Sequence, residues 1–407
     1  MSTHFAWESK EKERARNPRR GGEIRYLKCV WYDISHMTSA RTLVEKMLKE
    51  ADVTIGGTRP QDITVHDERL YNRILRYGML GLGESYMDGW WYANELDVFI
   101  DTVLSAHLEK EIEMNLASAL VVAKAFLFNL QSSSRAFHVG EAHYDLGNDL
   151  YEGMLDKRMV YTCGYWKDAT TLDDAQEAKL DLVCKKIGLK KGDRILDIGC
   201  GWGSFAKFAA EKCGAEVVGI TVSVEQAALA RERCAGLPVE IRVQDYREVH
   251  EQFDHIVSLG MFEHVGVKNY RAYFEMANRC LKDEGFFLLH TIGDRVSRTS
   301  CDPWTDKYIF PGGVLPSVAQ IGKAVENLFV MEDWHNFGPD YDKTLMVWFK
   351  NFDAAWPALR ENYGNRFYRM WKYYLLTCAG AFRARHIQLW QIVLSKDGVK
   401  GGYTSVR

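Results

Sequence analysis

From residue 172 onward, short apolar runs alternate with amphipathic stretches of helical period. The runs RILDIG (194–199), AEVVGI (215–220), VEIRV (239–243), DHIVSL (254–259), FFLLHT (286–291), FVMEDW (329–334) and LWQIVLS (389–395) read as strands. Sequences between them, such as VEQAALARERC (224–234), read as helices. Apolar strands alternating with helices predict an α/β domain. Its sheet is expected to be open, mostly parallel and covered on both faces.

The pattern upstream is different. Residues 36–130 predict a smaller α+β domain of helices and short strands. MTSARTLVEKMLKEA (37–51) offers Thr38 or Ser39 as a cap, followed by helical apolar spacing. GLGESYMDGWW (81–91) combines glycines with aromatics and predicts a turn or a tight packing element. Three serines in LQSSSRAF (130–137) follow an apolar helix, which predicts a linker over 131–137 and a catalytic domain over 138–407. Residues 1–35 form a basic N-terminal segment, with eight Lys/Arg against four Glu between positions 8 and 28. A mobile, solvated tail is the plain reading. Attraction to an anionic membrane, worth about 1 kcal/mol per basic residue, is the alternative.

Composition narrows the class. A chain of 407 residues with 47% hydrophobic side chains suits a soluble two-domain enzyme. The net charge of −3 gives no argument for nucleic acid as a partner. Nine cysteines without a CxxC pair argue against a disulfide framework and a thiolate zinc site, and suit a reducing cytosol. The N-terminus has no apolar h-region, so no signal peptide is expected. ASALVVAKAFLFNL (117–130) is too short to span a bilayer and carries Lys124, so any lipid contact is expected from the surface.

The chemistry is expected at the carboxyl ends of the strands. LDIGCGWGSF (196–205) places Gly199, Gly201 and Gly203 between the first strand and a helix, where the backbone can approach a ligand. The loop lacks a basic residue for a pyrophosphate, so an adenosyl ligand without phosphates fits better. Asp197 is placed to serve its charged amino-acid end. The second strand ends in Ile220 and Thr221 without a ribose-binding acid, leaving Thr221 and Gln226 as polar groups and arguing against NAD.

Within GMFEHVG (260–266), Glu263 follows the fourth strand, and His290 is expected at the end of the fifth. Neighbouring strand ends let the two converge, with His264 pointing elsewhere. A helix cap and a core histidine would account for the same residues. YTCGYW (161–166) and Tyr341 add electron-rich groups suited to positive charge. A late helix over 366–382 carries an apolar stripe with Arg366, Arg369 and Lys372 off it. Its place in the chain favours packing on the sheet over contact with anionic head groups.

Long motifs in a fixed order resemble the bacterial cyclopropane-fatty-acyl-phospholipid synthases. They are RPQDITVH, GLGESYMDGWW, HYDLGNDLYEGMLD, YTCGYW, LDIGCGWGSF, VQDY, GMFEHVG, YIFPGGVLPS and CAGAFRARHIQLWQIV. Thr162 stands where that family commonly has serine. The resemblance implies a Rossmann-like class I fold with a seven-stranded sheet that binds S-adenosylmethionine (SAM). It implies addition of the SAM methyl carbon to a cis double bond of a phospholipid acyl chain, then ring closure by loss of a proton to bound bicarbonate. Glu263, His290 and Tyr341 side chains and the N–H groups of Cys163 and Ile292 are expected to hold that anion, with no metal. SAM is expected on Tyr161, Thr162, Asp197, Gly199, Cys200, Gly201, Gly203, Thr221, Gln226 and Tyr246, and the resemblance puts Asp245 near the adenine. The resemblance also implies a cytoplasmic homodimer that visits the inner membrane face, its N-terminal domain contacting lipid. Methylation without ring closure and a non-catalytic lipid-binding relative are the competing readings.

Overall fold

The computed structural model describes residues 40–107 and 147–407. The expected caps Thr38 and Ser39, the basic segment 1–35, the apolar stretch 117–130 and the linker 131–137 lie outside them. The chain divides into Met1–Lys46 and a compact unit Met47–Arg407. The predicted first helix is α1 (Ala40–Glu50).

The N-terminal elements that follow are β1 (Ile63–Val65), α2 (Arg69–Met87), β2 (Trp91–Ala93) and α3 (Leu96–Ser105), with β1 and β2 paired antiparallel. The stretch expected as a turn, Gly81 to Met87, is the last part of α2. Its glycines answer to packing. A Cβ on Gly83 would lie 2.4 Å from the Trp304 ring, so only glycine lets the helix approach that indole.

The remaining elements begin with α4 (Asn148–Met154), α5 (Leu172–Lys186), β3 (Arg194–Ile198), α6 (Ser204–Phe208), β4 (Glu216–Thr221), α7 (Val224–Arg233) and β5 (Val239–Val243). Then come β6 (Phe253–Leu259), α8 (Tyr270–Cys280), β7 (Leu281–Asp294), α9 (Pro303–Tyr308), α10 (Val318–Val325), β8 (Val330–Asn336), α11 (Pro339–Arg383) and β9 (Ile387–Ser395). All seven predicted strands form one sheet in the order β5-β4-β3-β6-β7-β9-β8. Strands β5 to β7 run parallel, and β9 is antiparallel to both β7 and β8. Ile195 to Ile198 are all buried, as a strand covered on both faces requires.

Local signals set the helices flanking the site. Thr171 caps α5 by accepting the Asp174 N–H, with Asp173 and Asp174 in the first turn and Lys185 and Lys186 in the last. That charge order complements the helix dipole. Ser223 caps α7 through the Gln226 N–H.

Two elements differ from expectation. Strand β7 runs from Leu281 to Asp294, because β9 pairs with it as far as Asp294↔Ile387. His290 is therefore inside the strand and not at its end. The late helix is the second leg of α11, which breaks at Gly364 (φ 75°, ψ 163°). Its stripe is buried as expected, at Trp371, Tyr374, Leu375 and Phe382, but against the N-terminal helices and α4 more than against the sheet. Arg366 pairs with Asp88, and Arg369 donates to the carbonyls of Tyr86 and Trp91. These cations are used inside the protein.

The α11 legs fold back on each other. Tyr341 near the start stacks on Phe382 near the end, 4.6 Å apart. Arg383 joins Asp342 at 2.9 Å and Asp97 of α3 at 2.7 Å. One apolar core includes Trp91 and Phe99, Tyr151, and Trp348 and Trp371.

Candidate active site

The loop after β3 builds a cavity at the carboxyl ends of the parallel strands. Tyr161, Thr162, Asp197, Gly199, Cys200, Gly201, Thr221, Gln226, Asp245 and Tyr246 all line it. Gly199 and Gly201 adopt φ of 80° and 54°, and a Cβ on Gly199 would meet Met261 at 2.7 Å. A side chain at Gly199 would strain the backbone and collide. Gly203 is not in the lining. It stands at the N-terminus of α6 with φ 76° and packs on Ala230 and Cys234 of the α7 region.

Asp197 is buried, its Oδ2 has no hydrogen-bond partner, and burial pushes its carboxyl up to about 7 against the pull of Lys179. The buried Lys179 also lines the cavity, and burial brings its ammonium down to about 8. Its Nζ donates to Thr162 Oγ1 at 2.7 Å, while Gln176 Nε2 donates to the Thr162 carbonyl at 2.8 Å. Helix α5 thus grips Thr162 at two points.

Past Thr162 the chain leaves the cavity. The Cys163 thiol donates to the Gly164 carbonyl at 3.0 Å, and burial raises it well above the ordinary thiol range. Thr344 Oγ1 accepts from Gly164 N–H at 3.1 Å and from Trp166 Nε1 at 2.9 Å, and Asp340 accepts the Trp166 N–H at 2.8 Å. The YTCGYW segment is thereby pinned to the first turns of α11.

Glu263 and His264 face different neighbours, because a short 3₁₀ turn carries them (Phe262–His264). Contrary to expectation, His264 lines the cavity built by the loop after β3, and burial lowers its pKa to about 4. Glu263 reaches β7. Its Oε1 accepts the Ile292 N–H at 2.6 Å, and burial pushes its carboxyl up to about 7. The Ile292 N–H, expected to face an anion, is committed to Glu263 and aims that carboxyl instead. Glu263 Oε2 is buried without a partner.

His290 lies two residues earlier in β7, and its carbonyl accepts the N–H of Gly260, a cavity residue, at 2.9 Å. Its ring faces Phe337 edge-on at 5.9 Å, and its Nε2 is buried without a partner. Burial first, then the cations Lys179 and Lys186 with His335, hold the imidazole well below its usual pKa. Burial raises the Tyr341 hydroxyl, followed by the fields of Cys163, Tyr161 and Glu263. Tyr161 bonds Tyr374 hydroxyl to hydroxyl at 2.9 Å and packs against Tyr151 and Trp348, each 5.3 Å away.

Residues 131–392 match the family model of the mycolic acid cyclopropane synthetases. The cyclopropane-fatty-acyl-phospholipid synthase of Escherichia coli (strain K12) is 54% identical over 377 residues, 93% of this chain and 96% of that one. The chain belongs to the mycolic acid cyclopropane synthetase family. The tuberculostearic acid methyltransferase UfaA1 of Mycobacterium tuberculosis is 32% identical over 363 residues, covering 84% of each chain. The mycolic acid cyclopropane synthase CmaA1, solved with SAH and CTAB, superimposes with a TM-score of 0.60 at 33% identity, over 64% of this chain and 98% of that one. As a member of this family, the chain is a class I SAM-dependent methyltransferase in fold.

Three buried residues of this family member escaped the sequence reading, Gln176, Lys179 and Gln391. Lys179 had a signal. It falls four residues after Ala175 and four before Val183, on the buried stripe of α5. Gln391 is a polar residue inside the apolar run of β9.

Proposed function

We propose that this chain converts the cis double bonds of unsaturated phospholipid acyl chains into cyclopropane rings, with SAM as the one-carbon donor and bicarbonate as the proton acceptor. The observation that carries the reading is the pair of orphaned buried atoms, Glu263 Oε2 and His290 Nε2, on groups tied to one strand. Buried polar atoms are normally satisfied, so an orphaned pair fits a small polar ligand. A protonated Glu263 and a neutral imidazole are both able to donate a hydrogen bond to an anion.

SAM would supply the electrophilic carbon, and bicarbonate would supply a base worth roughly 10²–10⁴-fold in rate. The chain's own groups do the rest. Asp197 offers a carboxylate to the amino-acid end of the donor. Tyr161, backed by Tyr151, Trp348 and Tyr374, presents aromatic surface where positive charge develops. Tyr341 offers a hydroxyl that burial keeps protonated. Cys163 contributes its backbone N–H. In this reading the acyl chain is drawn from the bilayer surface; no helix among the described residues is long and apolar enough to cross a membrane. On the same proposal the enzyme acts in the cytoplasm as a homodimer that visits the inner membrane face.

The test is an assay with SAM, vesicles of unsaturated phospholipid and controlled bicarbonate. Release of S-adenosylhomocysteine, a lipid mass gain of one CH₂ and cyclopropane proton resonances by NMR are expected, with turnover falling as bicarbonate is removed. A methyl-branched product would favour methylation without ring closure. Absence of turnover would overturn the enzymatic reading.

A further inference from the structure

Strand β9 lies between β7 and β8, and its register sets Gln391 opposite His290 on one side and His335 on the other. Directly paired residues share a face of the sheet, so the three polar side chains stand in one cross-strand row. Gln391 and His290 are both buried, and Gln391 Nε2 lies 3.3 Å from His290 Nδ1. At the other end of the row Lys186 Nζ lies 3.1 Å from His335 Nδ1 and 3.7 Å from Asp333 Oδ2.

We infer that Gln391 is a positioning residue that sets the tautomer of His290, so that the imidazole presents N–H, not a lone pair, at Nε2. This rests on the anion-cradle reading above. An amide nitrogen only donates, so a neutral ring facing it accepts at Nδ1 and carries its proton on Nε2. The reversed amide would place its carbonyl against Nδ1, pull the proton there and leave a lone pair at Nε2, which repels an anion. The donor orientation is the one that makes orphaned Nε2 an anion contact. The apolar strand around Gln391 explains why the amide is there. Leu389, Trp390, Ile392, Val393 and Leu394 are buried in the sheet cores, and Gln391 is the polar interruption aligned with His290.

The experiment uses full-length protein labelled with ¹⁵N in its histidine rings, with His290→Ala assigning the His290 signals among the 12 histidines. Wild type is expected to show the Nε2–H tautomer. Gln391→Leu, which removes the donor, should give mixed tautomers. Gln391→Glu, which places an acceptor beside Nδ1, should shift the proton to Nδ1. Both variants should raise the KM for bicarbonate about tenfold with little change in SAM affinity measured by calorimetry. An Nδ1–H tautomer in wild type, or His290 signals unchanged in Gln391→Leu, overturns the inference. If Gln391→Glu fails to fold, Gln391→Leu carries the same decision. Tautomers that shift as expected, in an enzyme whose turnover ignores bicarbonate, would support Gln391's hold on the ring and sink the anion reading instead.

Discussion

The two halves of the sheet build their sites differently. The parallel half, β5-β4-β3-β6, makes its cavity from loops beyond the strand ends, at Gly199 to Trp202, Thr221 to Val222 and Gln244 to Arg247. The antiparallel half holds His290 within a strand, paired across to Gln391. Loop backbones can be shaped around a large, irregular ligand by glycines at positive φ. Strand side chains are fixed by cross-strand partners and suit a small ligand that needs a few donors aimed at one point. Glu263, on a 3₁₀ turn after β6, links the halves by bonding the Ile292 N–H of β7.

The largest expected effect sharpens this division. Glu263→Leu removes both the acceptor for the Ile292 N–H and the donor that would hold the bicarbonate base. Turnover on unsaturated vesicles should fall roughly 10²–10⁴-fold, the span of a general-base contribution, while SAM affinity by calorimetry stays near wild type. A matching loss of SAM affinity would show that the two halves do not act separately.

The next effect concerns the loop-built half. Asp197 holds its proton up to about pH 7 because burial disfavours the carboxylate. A cationic ligand needs the ionised form, so SAM affinity should weaken as pH falls below 7, by at most about tenfold per unit for one proton. Asp197→Asn should weaken SAM binding and flatten that slope. The same shift acts on the ligand-free fold with the opposite sense. Asp197 and Glu263 are both raised to about 7, so their protonated forms favour the folded state, and that contribution is lost as pH rises from about 4 to about 7.

The smallest effect is at the boundary. The Cys163 thiol is neutral, buried and turned to the Gly164 carbonyl. A serine hydroxyl can make the same bond, so Cys163→Ser should retain most turnover in the vesicle assay. Complete loss with SAM binding intact would give the sulfur a direct role.

The loop-built half was the more legible in sequence. Glycine spacing after an apolar strand, and an Asp before it, are local signals, and nine of the ten expected SAM residues line the cavity. Gly203 differs because its positive φ serves the start of a helix. The strand-built half depends on pairings remote in sequence. His290 and Gln391 are 101 positions apart, so the length of β7 and the row across it had no local sign. Glu263 and His264 diverge because a 3₁₀ turn has neither helical nor strand period. Lys179 was hidden by its charge, since a lysine on a helix ordinarily marks the solvent face.

The fold-back of α11 at Gly364 has its own consequence. It places the roof of Tyr341, the Phe382 ring, at the opposite end of one long element, with Arg383 tying that end to Asp97. Residues 364–366 at the bend are exposed, so residues added there lengthen the tip without turning either leg. One residue inserted within either leg would instead rotate every side chain beyond it by about 100° and slide Phe382 off the phenol. Evolutionary length variation should therefore gather at the bend and spare the arms.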